Sequence, residues 1–296
     1  MSMRAPLSYA AAIARTQTIG TLLGVAVERL LEAVGDLEDG RERRLRVWVS
    51  DGFDRLSVLA AAPTASRHAS LLAAAGGDAL VASAIPVLGQ RPGQLFVELE
   101  AGGGPELAIE IQGLGRGSID DDLRLLRSMA PVGDAAHTAL ARLAAELATG
   151  GRSAGIAVRF EPPGTRQWML HVSLAASVEL AAAALSRVAA AAGITPAQRN
   201  LLAVLHPLLG EHSPAVATLR IGPGVVYPEL TVTYHDVAFE PVIRILIGIH
   251  PGVDHASRLG AVAGACNAER AAALAIQLRD REPLGLRVAF DLDQDE

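Results

Sequence analysis

The chain has 296 residues, half of them hydrophobic, and carries 26 Lys+Arg against 32 Asp+Glu, a formal net charge of −6. The length suits one large domain, and no Ser/Pro/Gly linker or shift in charge divides it. The acidic balance and the 3% aromatic content exclude the basic, ring-studded surface that nucleic acid requires, and no apolar run approaches the roughly 18 residues of a membrane span.

In chain order the pattern predicts a helix over Thr21 to Leu37, then strands Leu45 to Ser50 and Arg55 to Ala61 around Asp51-Gly52, then a helix over Ala65 to Ala75. A weaker helix over Asp78 to Leu88 leads into strands Gln94 to Leu99 and Glu106 to Ile111, with Ile119 to Met129 helical after them. Asp134 to Gly150 reads helical, Gly155 to Glu161 and Gln167 to Leu174 read as a hairpin, and Ser177 to Ala192 reads helical again. Thr195 is a candidate N-cap for a helix from Pro196 to Gly210. Strands Val216 to Ile221 and Glu229 to Asp236 follow, then a helix over Asp254 to Asn267 and strands Ala272 to Arg279 and Leu286 to Asp291. One unit of helix, two strands and helix therefore recurs about five times, and a repeat of that size decides an architecture.

Five sequential hairpins flanked by helices predict an α+β fold: a ten-stranded antiparallel barrel with helices around it, closed so that no edge is exposed. Alternation puts Leu45, Val47 and Val49 on one strand face and Arg46, Trp48 and Ser50 on the other. Helices take the apolar face. The opposite face, which lines the lumen, carries Arg159 and Glu161, Gln167 and His171, Thr218 and Arg220, Glu229 to His235 in alternation, Gln277 and Arg279, and Arg287 and Asp291. That many charges call for partners, water or a ligand.

Local chemistry signals are few. Lysine is absent, which GC-biased coding explains and which excludes Schiff-base chemistry through lysine. Cys266 is the single cysteine, so no disulfide or cysteine metal cage exists, and its helix of small residues marks it as a packing residue. Gly113, Gly115 and Gly117 precede Asp120, Asp121 and Asp122; that spacing fits no dinucleotide or P-loop fingerprint, and a flexible loop before an acidic helix start is expected. His250 with His255, and His206 with His212, lack a helical metal spacing and a third ligand, so neither a metal nor another cofactor is expected. Arg15 and Gln17 interrupt the N-terminal stretch before any signal-peptide core forms, and a cytoplasmic location is expected.

The repeat, the length, and the stretch from Arg159 to Leu202, where Thr165-Arg166-Gln167 enters a strand and then helices, resemble the ABBA or PT-barrel aromatic prenyltransferases. The resemblance implies a single PT-barrel domain over residues 1–296 with an N-terminal arm over 1–18. It also implies a lumen that binds an allylic diphosphate and transfers its short prenyl group to an aromatic small molecule or peptide, here without a metal. In that reading Arg46, Arg159, Arg220, Arg279 and Arg287 hold the diphosphate, with Arg55 beside them. Trp48 and Phe96 flank the carbocation, and Glu98, Glu110 and His171 are the candidate catalytic groups, the glutamates orienting the acceptor. Ser57 stands where magnesium-dependent bacterial members carry Asp, Glu106 where they carry a diphosphate-binding Lys, and Thr165, Met169 and His171 where Lys, Asn and Tyr are expected. Tyr9, Tyr227 and Tyr234 are the only tyrosines, too few for a tyrosine shield.

The alternative is a barrel kept for another purpose: a small-molecule binding protein, or an enzyme of another class, with no prenyl diphosphate site and a polar or zwitterionic ligand. His171 and His235 are then ordinary hydrogen-bonded barrel residues and Trp48 a packing residue. Arginines converging without carboxylate partners favour the diphosphate; arginines paired one by one with glutamates favour the alternative.

Overall fold

The computed structural model describes residues 9–36, 45–61, 79–90, 94–102, 106–129, 133–147, 152–161, 165–174, 178–209, 214–222, 225–279 and 284–292. Strands β1 (Leu45–Ser50) and β2 (Leu56–Ala61), β3 (Gln94–Ala101) and β4 (Ala108–Gly117), β5 (Arg152–Glu161) and β6 (Thr165–Ser173), β7 (Pro214–Gly222) and β8 (Val225–Val237), and β9 (Ala271–Arg279) and β10 (Gly285–Leu292) form the five predicted hairpins. Each strand pairs antiparallel with the next, and β10 returns to pair with β1, with Arg46 opposite Asp291 and Trp48 opposite Ala289. The sheet is a closed ten-stranded barrel.

Helices α1 (Tyr9–Leu23) and α2 (Glu28–Asp36) precede the barrel, and α3 (Ala79–Gly89) lies between the first two hairpins. The pairs α4 (Ile119–Met129) with α5 (Asp134–Leu147), α6 (Val178–Ala191) with α7 (Pro196–Leu208), and α8 (Phe239–Ile249) with α9 (His255–Cys266) fill the other connections. The helices lie on the outside, α2 on β2 and β3, α4 on β5, and α9 on β10 and on α1. Between helices and sheet lies the apolar core, in which Val47, Val49, Leu99, Leu170, Leu219, Val232 and Phe290 are fully shielded. This buried outer face makes the pattern of inner side chains obligatory, because a register slip of one residue would turn every lumen charge into the core.

Several helix ends follow their sequence signals. The Thr195 hydroxyl accepts from Gln198 N at 3.4 Å while Gln198 Oε1 accepts from Thr195 N at 3.2 Å, a reciprocal cap for α7. Asp254 accepts from Ser257 N at 3.0 Å at the start of α9, and Asn267 ends it in the left-handed region.

Other boundaries differ from expectation. The helix expected over Thr21 to Leu37 is two helices, broken at Gly24, which has φ 70°. Residues 9–18, expected as an arm, begin α1, and Tyr9 is packed in the core. Helix α8 went unrecognised in the sequence because Ile243, Ile245, Ile247 and Ile249 alternate at a strand-like period inside a short apolar run. The glycines Gly113, Gly115 and Gly117 are not a loop: β4 runs through them, with a register shift between Leu114 and Gly117. Glu106, expected in a strand, precedes β4 and is exposed. The expected helix over Ala65 to Ala75 lies outside the described residues.

Gly155 of β5 pairs beside this glycine run, where a Cβ would stand 2.6 Å from the Gly113 carbonyl oxygen and 2.7 Å from Leu114 Cδ2. Backbone cannot yield as a flexible side chain does. Gly155→Ala is therefore expected to destabilise the fold by about 1–3 kcal/mol in denaturant titration. Gly248→Ala in α8, where a Cβ meets nothing within 4 Å, is expected to be neutral or to stabilise by up to about 1 kcal/mol.

Candidate functional site

Strand alternation decides which side chains reach the lumen. In β1, Leu45, Val47 and Val49 are shielded while Arg46, Trp48 and Ser50 are partly exposed, and β8 repeats the pattern with Thr231 and Thr233 partly exposed between Leu230, Val232 and Tyr234. The outer face lies under helices, so exposure on the inner face means that the lumen is open to solvent. Following the pairing around the barrel places Arg46, Trp48, Phe96, Glu98, Glu110, Arg159, His171, Arg220, Arg279 and Arg287 all on that inner face. Between the polar residues Gln277, Arg279, Arg287 and Asp291, β9 and β10 present the small, buried side chains of Ala273, Ala275 and Ala289 to the inner face.

The largest cluster joins five strands. Glu98 and Glu110 stand directly opposite each other on β3 and β4. Gln112 Nε2 donates to Glu110 Oε1 at 2.7 Å and to Glu98 Oε2 at 3.4 Å. The other Glu98 oxygen accepts from Ser57 Oγ at 2.7 Å and from Arg287 Nη2, which also donates to Ser57 Oγ at 2.6 Å. Arg159 donates to Glu100 at 2.9 Å and to Glu161 at 2.8 Å, and lies 3.6 Å from Glu110 Oε2. Arg287 lies 3.7 Å from Glu100, and Arg55 reaches the same carboxylate at 3.6 Å from a position that is 56% exposed.

A second cluster gathers on Glu229, which accepts from Arg220 at 2.6 Å, from Arg279 at 3.3 Å, and from Gln277. A third is the bidentate pair of Arg46 with Asp291, at 2.7 and 3.2 Å. All five candidate arginines are thus held by carboxylates. His171 belongs to none of these clusters: its Nδ1 contacts Thr218 Oγ1 at 2.8 Å, two lumen positions along β6 from Gln167, about 13 Å away by strand rise. The sequence reading missed Glu100 and Gln112, although both continue the alternation that marks Glu98 and Glu110.

Electrostatics separates the two central carboxyls. Burial alone would raise Glu98, but the Arg287 charge and the hydrogen bonds from Arg287 and Ser57 outweigh it and hold Glu98 below the usual carboxylate range. At Glu110 the Arg159 and Arg287 charges and the Gln112 hydrogen bond are outweighed. Burial, and then the neighbouring Glu98 charge, push it up to about 7. Burial works against the charges on Arg159 and Arg287 too, yet the facing glutamates hold both guanidiniums firmly protonated. His235 is held below its ordinary value by burial, and then by the Arg46 charge.

The aromatic groups are partly committed. Arg287 lies 5.2 Å from the Trp48 ring centroid, so a guanidinium covers one of the faces expected to flank a carbocation. Phe96 remains half-buried. Tyr234 lies on the outer face, as alternation requires, fully buried with its phenol pushed well above the ordinary value by desolvation. Tyr227 stacks near Arg220 at 5.7 Å beside Gly222. Two lumen N–H groups, Trp48 Nε1 and Arg220 Nε, are buried with no acceptor among the described residues. The described residues contain no group of three His, Cys, Asp or Glu side chains able to hold a metal ion, and no described helix is long and apolar enough to cross a membrane.

Comparison of the whole structure with solved ones is decisive for the architecture. A 6-dimethylallyl tryptophan synthase superposes with a TM-score of 0.71 at 13% identity, over 97% of this chain and 96% of that one. The chain has the PT-barrel fold. The 5-dimethylallyltryptophan synthase from Streptomyces coelicolor matches this PT barrel with a TM-score of 0.65 at 15% identity, over 97% and 98% of the two chains. The 6-dimethylallyltryptophan synthase from Micromonospora olivasterospora, in complex with DMASPP and Trp, does so with a TM-score of 0.65 at 12% identity, over the same shares. No family model and no curated protein matches the sequence.

Glu110 makes the stability of this PT barrel depend on pH. The folded protein holds the Glu110 proton to about pH 7 while the unfolded chain releases it near 4.5. Between those values the folded state binds more protons, so stability falls as pH rises and the full penalty is present above pH 7. Glu110→Gln mimics the neutral acid. It is expected to exceed the wild type by under about 1 kcal/mol at pH 5 and by about 2–3 kcal/mol at pH 8.5, read from urea unfolding at the two values. Equal stability at pH 8.5 would remove the basis for a raised Glu110.

Proposed function

We propose that this PT barrel binds a small polar ligand in its lumen without using an allylic diphosphate: a barrel of the aromatic-prenyltransferase architecture turned to another ligand. The observation that carries the reading is the pairing of the arginines. Arg46, Arg159, Arg220, Arg279 and Arg287 each lie within 4 Å of a carboxylate drawn from Glu98, Glu100, Glu110, Glu161, Glu229 and Asp291. A diphosphate would have to pull guanidiniums from these partners, and a buried carboxylate left alone costs several kcal/mol. Negative charge brought beside six carboxylates is opposed again by Coulomb repulsion. Ser57, in turn, donates to Glu98 and is hydrogen-bonded by Arg287, where magnesium-dependent prenyltransferases are expected to offer an acidic side chain.

A ligand with both donors and acceptors suits these walls. Its donors meet the carboxyls, and its acceptors meet Trp48 Nε1 and Arg220 Nε, which are buried without one.

A second reading, a metal-independent aromatic prenyltransferase, is favoured by one observation: the neighbour solved with DMASPP and Trp superposes over nearly all of both chains. Glu98 or Glu110 would then hydrogen-bond the acceptor, with Phe96 and the free face of Trp48 beside the cation.

Calorimetric titration with dimethylallyl and geranyl diphosphate, with and without magnesium, separates the two. The proposed reading expects no binding in the micromolar range under either condition. Micromolar, metal-free binding that Arg220→Ala weakens at least tenfold, equivalent to about 1.4 kcal/mol, would establish the second reading and overturn the first.

A further inference from the structure

Helix α7 (Pro196–Leu208) carries its polar groups on the side that faces the sheet. Gln198 Nε2 donates to the Arg279 carbonyl oxygen, and Arg199 Nε and both ring nitrogens of His206 are buried with no hydrogen-bond partner among the described residues. The His206 ring centroid lies 6.2 Å from that of the fully buried Tyr234. Leu202, Leu205 and, just past the helix, Leu209 lie in the core on this same side, so the helix cannot roll over to exchange its faces. Its outer side is apolar. Leu201 is 38% exposed, Val204 64% and Leu208 42%, with Ala197, Asn200 and Ala203 exposed beside them. None of these six side chains is charged, the reverse of an ordinary surface helix. The other large hydrophobic residues exposed among those described, Leu22, Val225, Ile247 and Val253, fall one to a helix, strand or loop, as scattered surface residues do.

The spacing of the outer side decides what fits it. Ala197, Leu201, Val204 and Leu208 succeed one another at intervals of four, three and four residues, the spacing of a seam along which two helices pack knobs into holes. On a helix they fall within an arc of about 60° and run for about 16 Å. The seam complements itself in one direction only. Against a second α7 running antiparallel about a two-fold axis, Ala197 meets Leu208, small against large, and Leu201 meets Val204. A parallel pair would set Ala197 against Ala197 and leave a gap. Since no charge lies on the face, none has to be desolvated. A lipid surface is a poor match, because interfacial helices rely on basic residues beside the apolar face, whereas this face has none and the chain has a net charge of −6. The exposed face offers roughly 450 Å² per copy, so pairing buries on the order of 900 Å², the size of a weak, concentration-dependent interface.

We propose that the outer face of α7 is a self-association surface, on which a second copy of this chain docks its own α7 antiparallel, with Leu201 of each copy packed on Val204 of the other. The contact lies on the outside of the barrel and does not depend on what the lumen binds, so the diphosphate titration has no bearing on it. Pairing covers Val204, the most exposed of the three large side chains, at the centre of the contact, where truncation or a charge costs most.

Sedimentation velocity of the full chain, from about 1 to about 500 μM, reads the association directly. The wild type is expected to pass from monomer to mostly dimer across that range. Val204→Glu is expected to weaken association at least tenfold while leaving the circular dichroism spectrum and the thermal midpoint unchanged, since the side chain it replaces is 64% exposed. The register is read by a second pair of variants, Leu201→Cys and Val204→Cys. Mixed under oxidised glutathione, they are expected to form the crossed disulfide dimer faster than either variant forms its own; Cys266, at 2% exposure, stays out of the reaction. A wild type that is monomeric at every concentration, a dimer indifferent to Val204→Glu, or crossed disulfides no faster than the self-paired ones overturns the proposal. So does a chain that stays monomeric and sediments with phosphatidylcholine vesicles, which would assign the face to lipid.

Discussion

A closed barrel gives its inner side chains no helix to lie against, so they have only one another, water and a ligand as partners. In this chain those side chains are charged, and mutual compensation of charge inside the ring is the constraint on which the rest depends. A guanidinium in such a place needs carboxylates near it, and these come from neighbouring strands or from two residues along its own, because adjacent residues along one strand point to opposite faces. Arg159 of β5 therefore draws on β3 and β4 as well as on its own strand, and Glu229 of β8 draws on β7 and β9. The ion pairs run around the barrel, parallel to the backbone hydrogen bonds between strands, and reinforce the same register.

The fold was legible because two periods coexist in the sequence. Strand alternation put Arg46, Trp48 and Ser50 on the inside, and the helical period filled the connections. What was illegible has physical causes. The apolar run of α8 satisfies both periods. The glycines of β4 look like a loop because they lack side chains, yet absence of side chains is what lets β4 and β5 approach at Gly113 and Gly155. Of the site, the inner-facing residues could be read one by one, but their pairing could not. Arg287 and Glu98 are 189 residues apart, and only the closure of β10 on β1 brings them together. The raised titration of Glu110 is likewise a property of the assembly: Glu98 and Glu110 have the same side chain on facing strands, and Arg287 and Ser57 hydrogen-bond Glu98.

Architecture and lumen chemistry answer to different constraints in such a barrel. The outer face, where apolar side chains meet helices, is compatible with solved barrels at 11–15% identity, because packing tolerates exchange of one apolar residue for another of similar volume. The inner face is not under that rule. There, a single exchange of lysine for glutamate reverses the sign of the local field, so the barrel can keep its shape while the ligands it admits change entirely.

The contact of Arg287 with Glu98 and Ser57 also bears on the order in which the protein is made. Synthesis delivers Ser57, Glu98 and Glu110 long before β10, so an emerging chain has the acids of the large cluster without one of its two buried counter-charges. A half-built sheet must leave those acids in water. The lumen therefore cannot be completed hairpin by hairpin from the N-terminus; it forms in the step that zips β10 between β9 and β1, and until the ribosome has released that strand there is no site to fill.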